Sequence, residues 1–81
     1  MQITTHQLVA QAIRVQRIRS GIQSEAELAR RAGMSPSALS KRLSGDLRLD
    51  LAEVERLAEA LGISPFDLMD LARAEGSNIA A

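Results

Sequence analysis

The apolar residues of this chain are the wrong kind for a sheet. Of 37 hydrophobic residues, thirteen are Ala and eleven are Leu, whereas Val, Ile, Thr, Phe, Tyr and Trp together number only twelve of 81. Strands favour β-branched and aromatic side chains, which fit a pleated surface; Ala, Leu, Arg, Gln and Glu lose little on entering a helix. An all-α fold is expected. Its size is bounded by length: 81 residues make one domain that buries about 60% of its surface in one modest core. The chain has no Cys and a single His, His6. Disulfides, a thiol nucleophile and a Cys- or His-built metal cluster are thereby excluded, and no cofactor is expected. The longest apolar run is three residues, too short for a membrane span or a signal-peptide core, so a cytoplasmic protein with no membrane partner is expected.

Glycines and short polar residues mark where helices stop and start. Gly21, Gly33, Gly45, Gly62 and Gly76 each close a stretch of helix formers, as a left-handed residue beyond a helix end would. Thr4 with Gln7, Ser24 with Glu27, Asp50 with Glu53 and Ser64 with Asp67 have the spacing of N-terminal caps. Pro36 and Pro65 follow Ser35 and Ser64, at the first helical position. Five helices are predicted, at about 5–20, 25–32, 36–44, 51–61 and 65–75, in one domain over 1–75 with a flexible tail at 76–81. The fourth helix carries the clearest stripe, Leu51, Val54, Leu57, Ala58 and Leu61, with Glu53, Glu55, Arg56 and Glu59 off it.

Helices 2 and 3 are short and joined by Ala32-Gly33-Met34-Ser35, the length and glycine placement of a helix-turn-helix. Leu28, Ala32 and Leu39 are expected between the two helices. Ala29 is small where they cross, Gly33 takes a positive φ, Met34 fills the turn and Ser35 caps helix 3. Glu27-Leu28-Ala29, Gly33-Met34-Ser35, Ala38-Leu39-Ser40-Lys41, Gly45 and the run Leu57 to Ser64 together resemble the Cro/C1-type (XRE-like) DNA-binding family, over residues 8–72. The resemblance implies a compact five-helix, lambda-repressor-like domain whose third helix enters the major groove, and a sequence-specific transcriptional regulator. The chain departs from the family pattern in three places. Glu25 stands where the family has a phosphate-contacting Gln at the start of helix 2. Leu43 replaces the Glu that pairs with an Arg near the end of helix 1, here Arg17. The loop after Gly21 is one residue longer.

Net charge is zero, but its distribution is not even. Residues 1–48 hold eight basic and three acidic side chains; residues 49–81 hold two basic and seven acidic ones. Such an asymmetry turns one face toward phosphates. Ser37, Ser40 and Lys41, with Pro36, are the candidate base contacts, because small polar residues let a helix approach base edges and an ammonium donates to guanine O6 or N7. Gln23, Ser24, Ser35, Arg42, Ser44 and Arg48 are the candidate phosphate contacts, Gln23 and Ser24 being helped by the dipole of helix 2. His6, without a partner His or Cys, has a surface or capping role. No carboxylate pair has a nucleophile beside it, so an enzyme is not expected.

One helix-turn-helix reads few base pairs. A homodimer on a pseudo-palindromic site is therefore expected, with Phe66, Met69 and Arg73 of helix 5 at its seam while Leu68, Leu71 and Ala72 face the core. The function expected is that of a repressor-like regulator of the phage Cro/C1 or antitoxin kind. The rival is a protein-interaction module, such as an antitoxin whose main partner is a toxin.

Overall fold

The structure, a computed structural model, describes the backbone of residues 3–80 and the side chains of residues 3–77. Among these residues it contains five helices and no strand: α1 Thr5–Arg19, α2 Glu25–Arg31, α3 Pro36–Ser44, α4 Leu51–Leu61 and α5 Pro65–Ala80. The starts form as the polar residues require. Thr4 accepts from Gln7 N while Gln7 reaches back to Thr4 N, and Asp50 and Glu53 form the same reciprocal pair. Ser24, Ser35 and Ser64 accept from the N–H three residues on, at 3.1, 3.1 and 3.0 Å.

Four of the five expected stops hold. The fifth does not: α5 runs through Gly76 to Ala80, so residues 76–80 of the expected flexible tail are helical, and Ala81 lies outside the described residues. The physical reason is packing. Gly76 lacks the left-handed φ of the other four glycines and sits inside the helix against α1, where a Cβ would lie 3.1 Å from Leu8 Cδ1. Gly33, by contrast, has φ +73, and the turn after it is closed by Met34 N donating to Ala29 O at 2.8 Å.

Each helix contributes one fully buried large side chain to a common core: Ile13, Leu28, Leu39, Leu57 and Leu68. Each such burial is worth about 1.5–3 kcal/mol. Ala29, Ala32 and Met34 are buried around the α2–α3 turn as expected, and Ile22 seals the α1–α2 loop. Two positions of α4 exchange the roles read from its stripe. Leu51 is 82% exposed, and Glu53 is 6% exposed. Leu51 is the first residue of the helix and points away from the core, whereas Glu53 folds back to cap the helix and meets Arg42 beneath the loop.

Candidate nucleic-acid interface

α3 is held from behind and free in front. Leu39 and Leu43 are buried at 0% and 4% exposure, while Ser37, Ser40, Lys41 and Ser44 are all exposed. Positions 37, 40, 41 and 44 follow i, i+3, i+4, i+7 spacing, so they form one stripe along the helix. Three of the four are serines, which leaves a shallow surface beside which a single ammonium projects. Among the described residues, Ser37, Ser40 and Lys41 make no side-chain hydrogen bond or ion pair, so their polar groups are open to an incoming partner. Pro36 is exposed at the N-terminal end of the stripe, where it offers an apolar contact and no donor.

The candidate phosphate contacts divide. Gln23 and Arg48 are exposed and unpartnered among the described residues. Ser24 and Ser35 accept from backbone N–H groups and keep their hydroxyl protons for donation. Ser44 instead donates its hydroxyl proton to Lys41 O at 3.0 Å. Phosphate oxygens only accept, so Ser44 in this rotamer has no proton to offer one, and the expected contact is not formed from this geometry. Arg42 is also redirected. Its Nη1 donates to Ala38 O at 3.1 Å, and its Nε lies 2.5 Å from Glu53 Oε2, off the line of its own N–H. Its guanidinium is an internal group rather than a free surface cation.

Internal pairing modifies the basic half elsewhere. Glu25 does not stand bare at the start of α2, because Arg14 Nε reaches its carboxylate at 3.2 Å. Glu27 is shared by Arg30 and Arg31 at 3.0 and 3.1 Å; hydrogen bonds from Arg30 and then Arg31 hold its carboxyl below the ordinary range. Arg17, whose usual partner position is Leu43, donates from Nη1 to Ile22 O at 2.7 Å and leaves its Nε buried without a partner. The exposed cations of residues 1–48 left without a carboxylate are Arg19, Lys41, Arg48 and one from the Arg30–Arg31 pair; Arg17 also lacks one but is half-buried, its guanidinium held at Ile22 O.

The expected dimer residues also divide. Phe66 is 81% exposed and, with Met69, Leu51, Leu49, Val54 and Pro65, lines a mostly apolar groove of about 670 Å³ between α4 and α5, to which Asp50 and Glu55 also contribute. Arg73 lies apart from it, paired with Asp70 at 2.7 Å and bordering Thr5 and Leu8 of α1. Leu51, the third exposed apolar residue of the groove, belongs to the core by its sequence period alone. His6 caps no helix and is not free at the surface: half-buried, it accepts at Nε2 from Leu49 N of the α3–α4 loop at 3.3 Å, a contact between parts of the chain far apart in sequence. No helix among the described residues is long and apolar enough to cross a membrane, and no group of three or more His, Asp or Glu there is placed to hold a metal.

No curated protein matches the chain. A family model does, that of the helix-turn-helix, over residues 13–68, from the middle of α1 to the start of α5 and including the whole α2–turn–α3 unit. With five helices, a glycine-closed turn and an open polar stripe on α3, the chain belongs to the Cro/C1-type (XRE-like) helix-turn-helix family of DNA-binding regulators.

Proposed function

We propose that the protein is a sequence-specific transcriptional regulator of the repressor kind, which lays α3 in the major groove of double-stranded DNA in the cytoplasm. The observation that carries the reading is the stripe Ser37, Ser40, Lys41: exposed, polar and unpartnered on a helix whose opposite face is locked in the core. Ser37, Ser40 and Lys41 read base edges, and Pro36 packs against the groove at the helix start. Gln23, Ser24, Ser35 and Arg48 hold the backbone. The working unit is a homodimer joined through Leu51, Phe66 and Met69, whose exposed apolar groups exceed what scattered surface residues account for.

The test is selection of binding sites from random duplexes, followed by mobility shift with the winning sequence. A pseudo-palindrome bound far more tightly than a scrambled duplex is the expected result. A second reading, a module whose main partner is another protein, is favoured by the same apolar groove. It predicts enrichment of no sequence and no retardation of DNA.

A further inference from the structure

The loop between α3 and α4, residues 45–50, presents Arg48 and is tied down at four backbone N–H groups, the first being Gly45 N, which donates to Arg42 O at 3.3 Å. Leu47 N donates to Lys41 O at 3.2 Å, Leu49 N to His6 Nε2 at 3.3 Å and Asp50 N to Glu53 Oε1 at 3.0 Å. Glu53 is the only buried charged residue among those described. One of its oxygens caps α4, and the other meets Arg42, which in turn holds Ala38 O, beside Ser37. A polar chain therefore runs from Ala38, in the first turn of α3, through Arg42 and Glu53 to the start of α4.

The capping box alone does not require this. Asp50 and Glu53 could cap α4 with the second carboxylate oxygen in water, where a charge is better solvated. Burial of that oxygen against Arg42 links two elements that otherwise meet through the loop. It also withdraws one cation from the end of the stripe, where a free guanidinium would bind phosphate regardless of sequence.

We propose that the Arg42–Glu53 pair positions α3 and the Arg48 loop for reading DNA, so that Lys41 meets a base edge while Arg48 meets a phosphate. The pair also suppresses sequence-independent binding by keeping Arg42 off the backbone. The proposal rests on the DNA-binding reading above. Glu53 and Arg42 are positioning residues: they act through Lys41 and Arg48 and touch no base themselves.

The experiment uses the full chain with Glu53→Gln and with the double variant Arg42→Met, Glu53→Gln. The amide oxygen introduced by Glu53→Gln can still accept from Asp50 N, so the helix cap survives. The double variant buries no unpaired charge, a replacement that folded proteins tolerate well. The affinity for the selected duplex, divided by that for a scrambled one, is expected to fall about tenfold in both variants. In Glu53→Gln the freed Arg42 should gain a phosphate, and the salt slope on scrambled DNA should steepen by about one. In the double variant that slope should stay as in the parent. Amide exchange of Leu47, Leu49 and Asp50 in the free protein should quicken in both. A merely structural pair would lower the urea midpoint and leave the folded protein's ratio and slope unchanged; that result overturns the proposal even if exchange quickens. A parent protein that fails to prefer any duplex overturns the DNA-binding reading itself, an outcome visible before any variant is made.

Discussion

Lys41 and Arg48 are both exposed cations without an internal partner among the described residues, yet their settings differ. Lys41 stands on the helical stripe, and Arg48 in the loop beyond it. Lys41→Ala should cost about 1–3 kcal/mol on the selected site and relax preference at one or two base pairs. Ser37→Ala should act at a neighbouring position, more weakly, since one hydroxyl makes one contact. Arg48→Ala should weaken all sequences alike and lower the salt slope by about one. Selected-site profiles of the three variants check this; an unchanged profile for Lys41→Ala with an altered one for Arg48→Ala would refute the docking of α3. Glu27 gives a pH-dependent counterpart away from the stripe. Its folded pKa is depressed by Arg30 and Arg31, so the unfolded chain takes up the proton first as pH falls. The pair therefore stabilises α2 at neutral pH, and that contribution is lost as pH drops through the folded pKa. Urea midpoints of the parent and Glu27→Gln should differ at pH 7 and converge under acid conditions.

Helix positions were readable because caps and stops are local chemistry: a Ser or Asp three residues before a free N–H satisfies it wherever the rest of the chain goes. Gly76 shows where local reading ends. A glycine that stops a helix and one that continues it look alike in sequence; the left-handed φ at Gly62, and at Gly76 the absence of one beside Leu8, separate them. The same holds for Glu53, whose burial goes with Arg42 eleven residues back in the chain. No period within α4 encodes a partner on α3. The two kinds of glycine predict opposite responses. Gly62, at φ +78 beyond α4, should lose about 1 kcal/mol as Ala, from left-handed strain. Gly76→Ala gains about 0.5–1 kcal/mol of helix propensity against a tight contact with the end of a half-exposed, flexible Leu8 side chain. A net rise in melting temperature of about 2–4 °C is expected, read by circular dichroism. A fall would mean that Leu8 has no room to turn.

For the whole molecule, charge and symmetry act together. The basic and acidic halves were legible by counting, and the exposed stripe of α3 by the 3.6-residue period. The count of usable cations was not, because Arg14, Arg30, Arg31 and Arg42 are wholly or partly neutralised by carboxylates that only the fold brings near. With about four free cations per domain, the logarithm of affinity should fall with the logarithm of salt at a slope of about −3 to −4 for each domain bound. A homodimer on a palindrome should then show about twice that, so the slope reports stoichiometry. Leu51 and Phe66 supply the means to separate the two states. Both are more than 80% exposed, so replacing them by Ser removes no core contact and should leave the unfolding free energy of the single chain within about 0.5 kcal/mol of the parent. If the α4–α5 groove joins two copies, Leu51→Ser, Phe66→Ser should sediment as a monomer, select a half-site and bind it with half the parent's slope. A variant that keeps the full slope and the full palindrome would show that the two copies meet elsewhere. A parent that already binds as a monomer with the single-domain slope would remove the dimer altogether while leaving α3 as the reading helix.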